Sequence, residues 1–541
     1  MPKEYQSDII IVGGGIAGIT TAIELLNFNK KVLIIDRDTQ DNFGGLAKES
    51  FGGMFFVDTP QQRRSGIKDS PELAFSDWCS VANFGNEDVL PKQWAKQYVY
   101  HGTSKVYDWL KKQGISFFPV VHWVERGLFK PGNSVPRFHM VWGTGAELTK
   151  VLNNKLLNHP NAPDNLNVVY GHKVEELIAD DQKIVGVSGI IEAEEQPFKA
   201  TGAQIVIAAG GLGGNIKKVR DNWYSPWGKP PEVILNGAHK YALGDMHDAV
   251  ARKEGVVTHL DKNWPYAAGV HHPRPKKEGH GLSLVPPKSA LWLDYTGKRF
   301  GPIPLITAFD TRWTVEEICK QEKKYSWQIL NMTIAHKEFA ISGAESNKAI
   351  RDKSWIGFVK TILFGNKELV KDMIDNCIDF VTADNLEELV NKMNGLTGTD
   401  DVKLAHVKEG VEAYDAQIDR GPKFYNDDQL RRIAHVRKYK GDKVRTCKFQ
   451  KIVDAKAGKL MAIREHILSR KTLGGIQTNL DCQVMGNNQQ PMAGLFAVGE
   501  VAGFGGGGMH GLGTLEGTFL GGCVLTGRVA AYAIAGKKLI K

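Results

Sequence analysis

The feature that most constrains the fold is a glycine pattern close to the start of the chain. Gly13, Gly15 and Gly18 follow the apolar run Ile9–Val12 and open a helical pattern over Ile16–Asn27. In a dinucleotide-binding βαβ unit the first glycine makes the turn, the second lets the backbone approach a pyrophosphate, and the third packs helix on strand. The helix N-terminus adds free N–H groups and a positive dipole end. The sequence therefore predicts an α/β protein with a Rossmann-type nucleotide-binding domain.

An acidic residue ends the second strand of this unit. Asp36 lies eighteen residues after Gly18, and we expect its carboxylate to accept hydrogen bonds from adenosine ribose hydroxyls. The nucleotide contacts predicted in this first unit are Gly13, Gly15, Ile16, Ala17, Gly18, Asp36 and Arg37.

Further glycine clusters favour FAD over a nicotinamide cofactor. One cluster, Gly44-Gly45, follows the second strand, and two apolar strands end in glycines at Ile205–Gly211 and Gly494–Gly503. FAD lies extended and is contacted by several separate glycine loops, which would account for clusters near both ends of the chain. The further predicted FAD contacts are Gly44, Gly45, Leu46, Ala47, Ser50, Gly52, Gly53, Val174, Ala209, Gly210, Gly211, Asp245, Gly499, Glu500, Gly513, Thr514 and Leu515.

The chain is long enough for two domains, and its character changes in the middle. With 541 residues it exceeds what one hydrophobic core usually serves. Between about His272 and Ser469, charged residues become prominent and helical patterns appear at Thr314–Gln321, Lys367–Val381 and Asn385–Met393. We predict a discontinuous FAD-binding domain of residues 1–268 and 471–541. It would be interrupted by an α+β, largely helical substrate domain of residues 269–470.

Charge and cysteine usage exclude several classes of protein. The net charge of +9 is scattered in short clusters, so nucleic-acid binding is not expected. None of the six cysteines forms a C-x-x-C pair, so no metal or iron–sulfur site is predicted. Scattered single cysteines are typical of reduced thiols, which predicts a cytoplasmic protein. No apolar stretch approaches the roughly 20 residues of a membrane span.

Several motifs resemble a known group of flavoproteins. The segments IVGGGIAG, GGLAKESFGG, IVIAAGG and GLFAVGEVAG resemble the succinate dehydrogenase/fumarate reductase flavoprotein superfamily, which includes the 3-ketosteroid dehydrogenases. KTLGGIQTNLDCQVM and GFGGGGMHGLGTLEGTFLGGCVLTGR are similar to its bacterial branch of FAD-binding dehydrogenases. The resemblance implies a clamp domain over the flavin and chemistry at flavin N5. It also implies that Glu500 contacts the ribityl or phosphate region and that the helix after Gly517 points its N-terminus at flavin N1 and the C2 carbonyl.

The resemblance also bears on how FAD is held and on the electron partner. Some members attach FAD to a histidine near the second glycine cluster, and residues 44–53 contain none, so non-covalent FAD is expected. Nothing in the sequence encodes a haem or iron–sulfur partner, so the electron donor or acceptor is unknown.

On the substrate side, three residues match positions that bind or protonate substrate in soluble fumarate reductases. His272-Pro273 matches a histidine–proline pair, and Arg312 follows Gly297-Lys298-Arg299-Phe300 as the candidate proton donor, or alternatively as a surface arginine paired with Asp310. Lys471 replaces a carboxylate-binding histidine and would pair with an acidic or carbonyl oxygen, or be a solvated lysine.

The match to fumarate chemistry is incomplete. Thr514 replaces a carboxylate-binding arginine, and a threonine cannot supply bidentate recognition. Arg137 and His139 would line the cavity or form a structural ion pair and a core histidine. Tyr241, Tyr266 and Tyr295 are alternative acids and bases, by similarity to the 3-ketosteroid dehydrogenases.

These observations predict an FAD-dependent oxidoreductase that exchanges hydride with a carbon–carbon bond next to a carbonyl of a small-molecule substrate. The carbonyl is needed because it acidifies the neighbouring C–H. One alternative is a reductase of an unsaturated carboxylic acid that uses Arg312. An alternative of another class is a non-catalytic, FAD-stabilised binding protein.

Overall fold

The apolar runs next to the glycine clusters form strands in the computed structural model, which describes residues 2–540. Strands rich in β-branched residues are favoured where both faces of a sheet are covered. In chain order the strands are β1 (Lys3–Gln6), β2 (Ile9–Val12), β3 (Val32–Ile35), β4 (Gly53–Phe55), β5 (Phe138–Met140), β6 (Leu166–Val169), β7 (His172–Asp180), β8 (Lys183–Ile191), β9 (Gln196–Thr201), β10 (Gln204–Ile207), β11 (Ile234–Asn236), β12 (Val257–Thr258), β13 (Asn263–His271), β14 (Gly281–Val285), β15 (Leu291–Leu293), β16 (Tyr325–Asn331), β17 (Ala340–Ile341), β18 (Phe380–Ala383), β19 (Leu460–Thr472), β20 (Gly475–Ile476), β21 (Gln483–Met485) and β22 (Pro491–Ala497).

Several helices begin at a polar side chain that caps the first turn, and several end at a glycine. Asp310, for example, accepts the N–H of Trp313 at 2.9 Å, and Gly398 ends a helix in the left-handed region. The α-helices are α1 (Ile16–Asn27), α2 (Pro60–Arg64), α3 (Pro71–Ala82), α4 (Val89–Gly102), α5 (Asp108–Lys112), α6 (Thr144–Leu157), α7 (Ala162–Asn165), α8 (Ile216–Asp221), α9 (Asp245–Arg252), α10 (Thr311–Cys319), α11 (Met332–Glu338), α12 (Lys348–Arg351), α13 (Trp355–Phe364), α14 (Lys367–Asn376), α15 (Leu386–Thr397), α16 (Leu404–Arg420), α17 (Asp428–Val436), α18 (Lys440–Lys443) and α19 (Thr518–Ile534).

The chain divides into two compact units. The first contains Met1–Tyr224, Ala238–Trp264 and Arg470–Lys541, and the second contains Ser225–Gly237 and Pro265–Ser469. Ser225–Gly237 join the second unit because β11 pairs in parallel with β19, Ile234 opposite Ile467. The second unit is therefore itself made of two segments of the chain.

The first unit is built on a sheet in the order β1-β9-β8-β22-β10-β2-β3-β6. Its centre is parallel, with Ile205 of β10 opposite both Ile10 of β2 and Leu495 of β22. These three side chains are fully buried, as a strand covered on both faces requires. The last strand of the chain thus lies inside a sheet whose other strands, apart from its neighbour β21, come from the first 207 residues.

Two helices of the first unit, α1 and α19, run side by side in the same direction. Thr21 Oγ1 donates to Gly527 O at 3.2 Å, and further along both helices Phe28 packs edge-on against Tyr532. Between these contacts, Glu24 and Arg528 form a buried ion pair at 2.6 Å. Because the contacts advance together, the N-termini of the two helices lie at the same end of the unit.

The second unit contains a mixed sheet together with the helices α10–α18. Its strands follow the order β15-β16-β19-β13-β14-β17, with β11 and β18 also paired to β19. β19 carries the buried Glu465 and His466 and the half-buried Arg464, which pairs with Asp379 at 2.9 Å. Charged residues inside a buried strand hide its apolar pattern, so the sequence predicts the helices of this unit and not its strands.

Asp379 stands at the centre of a buried polar cluster in the second unit. Its carboxylate accepts from Arg464 Nη2 at 2.9 Å, from the His271 N–H at 2.7 Å and from His271 Nδ1 at 2.8 Å. Burial raises the pKa of Asp379, but the hydrogen bonds and charges of His271 and His466 hold it well below its usual range. His466 Nε2 lies 3.7 Å away and would complete a set of metal-ligating groups. Because Arg464 and His271 already occupy the carboxylate oxygens, the cluster is an ion-pair network that ties β18 to β19.

Candidate active site

Glycines at the turn between β2 and α1 are required by the fold at two positions and not at a third. Gly13 has a φ of +105°, and a Cβ on Gly18 would lie 2.1 Å from Gly13 O. Gly15, the residue before α1, has an ordinary φ of −77°, and a Cβ there would meet no protein atom within 4 Å. The protein itself therefore does not need glycine at position 15, and open space lies beside it at the helix N-terminus. This is the position where the sequence predicts a pyrophosphate.

The second glycine cluster is held against this turn. The Gly44 N–H donates to Gly14 O at 3.0 Å, and a Cβ on Gly45 would lie 3.3 Å from Gly15 Cα. The turn then continues through Leu46 and Ala47, whose carbonyl accepts from Ser50 Oγ at 2.7 Å. The structure thus brings the first and second predicted groups of FAD contacts together.

Gly52 and Gly53, also predicted to contact FAD, are crowded by protein. A Cβ on Gly52 would lie 2.7 Å from the Thr144 backbone, and one on Gly53 would lie 1.8 Å from the Phe138 ring. Their lack of a side chain is therefore explained by the packing of β4.

The acidic end of β3 faces the same turn. Asp36 Oδ2 accepts from the Gly14 N–H at 2.5 Å and Oδ1 accepts from the Asp38 N–H at 2.7 Å. Burial raises the pKa of Asp36, and these two backbone donors oppose that shift. The next residue, Arg37, pairs with Glu192 at 2.7 Å and lies 3.7 Å from Asp245, the first residue of α9. Arg37 and Asp245 are therefore neighbours. Two residues that contact the same nucleotide must lie close together, and this pair does.

The glycines after β10 lie beside Glu500. Glu500 Oε1 accepts from the Thr472 N–H at 3.0 Å, and a Cβ on Gly211 would lie 2.5 Å from the same oxygen. Burial raises the pKa of the Glu500 carboxyl. Gly210, by contrast, has open space where a Cβ would point, with Ala242 Cβ the nearest atom at 3.9 Å. Ala209 directly precedes this pair of glycines.

Two further predicted contacts are constrained by their surroundings. A Cβ on Gly499 would lie 2.8 Å from Ala17 Cβ, so this glycine allows α1 to approach the loop after β22. The Val174 side chain on β7 is buried in the core of the sheet. Only the backbone of Val174 can therefore contact a nucleotide.

A chain of hydroxyl groups and an imidazole fills the turn before α19, where Gly513, Thr514 and Leu515 are predicted to contact FAD. Thr514 Oγ1 lies 2.7 Å from Thr518 Oγ1, which lies 2.7 Å from His510 Nε2. His510 stacks on Trp78, and burial lowers its pKa to about 3, so the imidazole is neutral. His510 and Thr518 are not among the functional residues that the sequence predicts. The signal available is that His510 and Glu516 are the only ionisable residues in the glycine-rich segment 505–517.

Lys471 lies in the same unit and is not a solvated surface lysine. Its Nζ lies 3.9 Å above the centre of the Phe519 ring at the start of α19. Burial lowers the pKa of Lys471 to about 8, and the negative charge of Glu516 opposes that shift. Glu516 accepts a hydrogen bond from Trp264 Nε1 at 2.7 Å and has a φ of +28°. The first unit therefore places a lysine of lowered pKa and a strained, anchored glutamate near the N-terminus of α19.

The other two predicted catalytic residues lie in the second unit. His272 borders a cavity of about 1080 Å³, and its Nδ1 accepts from the Arg274 N–H at 2.9 Å. Burial lowers the pKa of His272, with Glu345 3.8 Å from Nε2 opposing the shift. The Arg312 guanidinium lies 4.6 Å above the Trp227 ring and is not part of the lining of this cavity. The cavity therefore does not bring His272 and Arg312 together.

Several residues left open by the sequence have structural roles. Arg137 is fully buried and pairs with Asp69 at 2.8 Å and with Asp77 at 2.6 Å. His139, also buried, bonds Thr59 Oγ1 and the Arg137 carbonyl. Both residues are part of the core of the first unit.

Two of the tyrosines considered as acids or bases are held by other side chains. Tyr241 lies under the Arg37 guanidinium at 4.4 Å, and Tyr295 Oη donates to Glu322 at 3.2 Å. These contacts give neither tyrosine a catalytic arrangement.

Parallel strands that end in glycine turns, an acidic residue at the end of β3 and open space beside Gly15 and Gly210 define a dinucleotide-binding protein. The chain belongs to the FAD binding domain family, whose model matches residues 8–520. It is 39% identical over 548 aligned positions to a KsdD-like steroid dehydrogenase of Mycobacterium tuberculosis, covering 98% of this chain and 96% of that protein.

Two solved structures share the fold. One is a 3-ketosteroid Δ1-dehydrogenase of Sterolibacterium denitrificans in complex with 1,4-androstadiene-3,17-dione, with a TM-score of 0.68, 16% identity and coverage of 98% and 99% of the two chains. The other is a flavocytochrome c3 fumarate reductase in an open conformation, with a TM-score of 0.66, 20% identity and coverage of 99% of this chain and 79% of that one.

The protein is an FAD-dependent oxidoreductase that acts on CH–CH groups. Its six cysteines are free thiols. Among the helices of residues 2–540, none has the length and apolar character that a bilayer span requires.

Proposed function

We propose that the enzyme is a dehydrogenase that removes hydrogen from a carbon–carbon bond next to the carbonyl of a ketosteroid-like substrate. The observation that carries this proposal is the environment of Lys471, whose pKa of about 8 suits a group that exchanges protons near neutral pH. The similarity to a KsdD-like steroid dehydrogenase supports the substrate class.

We assign FAD to the first unit, as a discontinuous Rossmann-type domain. The open space beside Gly15 at the start of α1 would admit the pyrophosphate, and Asp36 would accept the ribose hydroxyls. Gly45, Gly210 and Glu500 would line the remainder of the cofactor. When bound, FAD supplies the hydride acceptor.

The chain's own residues would supply the proton transfer. The substrate carbonyl acidifies the adjacent C–H, and Lys471 in its neutral form would accept that proton. Glu516, fixed by Trp264, lies close enough to influence the charge of Lys471. Thr514 cannot bind a carboxylate bidentately, which supports a ketone rather than a dicarboxylic acid as substrate.

The second unit is our candidate for the substrate-clamp domain. His272 and Arg312 remain predictions that belong to the alternative, reduction of an unsaturated acid with Arg312 as proton donor. The contact of Arg312 with Trp227 does not favour this alternative, because a guanidinium stacked on an indole ring is engaged in packing. The free thiols support a cytoplasmic location, and the electron acceptor remains to be identified.

The test is anaerobic mixing of purified enzyme with 3-ketosteroids, other ketones and unsaturated acids while flavin absorbance is followed. We expect steroid ketones to bleach the flavin, and Lys471→Met to slow bleaching by about 100-fold or more, the range of general base catalysis. Lys217→Met is the matched control, because Lys217 is 85% exposed. If no ketone bleaches the flavin but an unsaturated acid reoxidises reduced enzyme, the reductase alternative replaces this proposal. If neither class reacts, the proposed ketone substrate and the role of Lys471 are both wrong, and the alternative of a non-catalytic binding protein gains no support unless other CH–CH substrates also fail.

A further inference from the structure

Helix α13 of the second unit exposes large apolar side chains to an unusual degree. Ile356 is 74% exposed, Leu363 69%, Phe364 68% and Val359 49%. No residue of this ten-residue helix is buried, although its sequence, WIGFVKTILF, is almost entirely apolar. Apolar residues scattered singly over a surface are normal, but a contiguous apolar patch marks an interaction site.

Three of these exposed residues share one side of the helix. At about 100° per residue, Ile356, Val359 and Leu363 fall within one quarter of the helix circumference. The half-buried Phe358 and Ile362 lie away from this side and line the cavity of about 1080 Å³, as does the exposed Phe364 at the end of the helix. The helix is thus fixed by its inner side while its outer side carries apolar groups that the second unit does not cover.

Basic residues flank α13 along the chain, and the acidic Glu345 and Glu368 lie just beyond them. Between Lys348 and Lys367 the chain has five basic residues (Lys348, Arg351, Lys353, Lys360 and Lys367) and one acidic residue, Asp352, so five minus one gives a local charge of +4. Lys360 lies on α13 itself and is exposed. Asp352 pairs with Arg351 at 2.7 Å. An apolar helix face with basic neighbours matches the acyl chains and anionic headgroups at a bilayer surface.

The same charges oppose a second copy of this chain as the occupant. A two-fold contact through α13 would place a segment of charge +4 against its own copy and bring both Lys360 residues to one interface. The helix is also too short to cross a membrane, because ten residues span about 15 Å and the hydrocarbon core is about 30 Å thick. A helix of this kind lies in the plane of the interface.

We propose that α13 attaches the enzyme to the surface of an anionic lipid bilayer, with Ile356, Val359, Leu363 and Phe364 inserted at the boundary between headgroups and acyl chains. The flanking lysines contact anionic headgroups. This attachment is independent of the chemistry at Lys471 and adds an interaction surface that the proposed function does not require.

The test is co-sedimentation of the full-length holoenzyme with vesicles. Vesicles of phosphatidylglycerol and phosphatidylcholine in equal parts are compared with phosphatidylcholine alone. We expect the wild type to bind the anionic vesicles. Its affinity should be about tenfold lower for vesicles of phosphatidylcholine alone, and about tenfold lower for the anionic vesicles at high salt. The double variant Ile356→Glu/Leu363→Glu removes apolar contact, and we expect its binding to be weaker by about tenfold or more.

Two further variants separate the effect from general surface change. Phe424→Glu is the matched apolar control, because Phe424 is 69% exposed, as is Leu363, and lies outside α13. We expect it to bind like the wild type. Lys353→Glu/Lys360→Glu keeps the apolar side and should lose the preference for anionic vesicles. FAD content and turnover with dissolved substrate should be unchanged in all three variants.

The proposal is overturned if the wild type does not sediment with anionic vesicles, or if Phe424→Glu lowers binding as much as the α13 variant. It is also overturned if light scattering shows a wild-type dimer that Ile356→Glu/Leu363→Glu converts to a monomer while vesicle binding is absent. That result would identify a second copy as the occupant.

Discussion

The open space beside Gly15 leads to a prediction that separates cofactor contact from folding. Replacing Gly15 by Ala adds a Cβ that would meet no protein atom within 4 Å, at an ordinary φ of −77°. The folded apoprotein should therefore tolerate it, with a cost of about 1 kcal/mol or less for alanine at a helix N-cap. If the pyrophosphate lies against Gly15, the added methyl group overpacks that contact. Overpacking costs about 1–3 kcal/mol, which is a loss of about 5- to 150-fold in FAD affinity.

The matched control is Gly395→Ala. Gly395 lies inside α15, is exposed, and would likewise place a Cβ where no protein atom comes within 4 Å. Alanine there should stabilise the helix by about 0.5–1 kcal/mol and leave FAD affinity unchanged. The measurements are the FAD dissociation constant, from titration of apoprotein, and the thermal unfolding of the same apoprotein. The reasoning is refuted if folded Gly15→Ala binds FAD as tightly as the wild type.

Three other predictions follow from single side chains. The kcat/KM for dehydrogenation should rise with pH up to about 8 and then level off, because Lys471 must lose its proton before it can accept one. A pH profile of kcat/KM checks this. Lys471→Met should retain FAD but lose this rise with pH. Arg137→Met leaves Asp69 and Asp77 buried without their cation and should lower the free energy of unfolding by about 3–5 kcal/mol, measured by denaturant titration; a change under about 1 kcal/mol would contradict the buried ion pairs. Arg312→Ala should retain FAD and lose less than about tenfold in turnover of a ketone, and a loss of about 100-fold or more would restore Arg312 as the proton donor.

The fold of the first unit is largely predictable from local sequence. The apolar runs around the glycine turns indicate the central strands, and α1 has the predicted bounds Ile16–Asn27. The sequence between Pro91 and Gln113 reads as one continuous helix, but a π-helical turn at Thr103–Tyr107 divides it into α4 and α5. There Thr103 Oγ1 donates to the distant Val57 carbonyl at 2.5 Å. A contact between residues 46 positions apart has no trace in the helical pattern.

The second unit is harder to predict because its strands carry charge. β19 reads LMAIREHILSRKT, in which Glu465 and His466 are buried and Arg464 is half-buried against Asp379. The sequence does not show this burial, because it depends on tertiary packing. The predicted helix Lys367–Val381 likewise ends at Asn376, and Phe380 already belongs to β18. Strand β18 pairs with β19, a partner about 80 residues later in the chain, so local pattern could not define it.

The candidate site is predictable in the same uneven way. Glycines with positive φ or close backbone neighbours are visible in the sequence, because few other residues can occupy such positions. Lys471 is found only by its place in a motif, and its lowered pKa depends on burial that the sequence does not show. His510 and Thr518 escape prediction because their importance comes from one hydrogen bond in the folded protein.

The position of β22 between β8 and β10 has a consequence for biosynthesis. While the ribosome is still translating the middle of the gene, the neighbouring strands have emerged but the strand that joins them has not. The nascent chain therefore exposes the unpaired edges of β8 and β10 while the segment between β10 and β22 is translated. Open sheet edges of this kind recruit chaperones or aggregate. Maturation must wait until residues 491–497 leave the exit tunnel and close the gap.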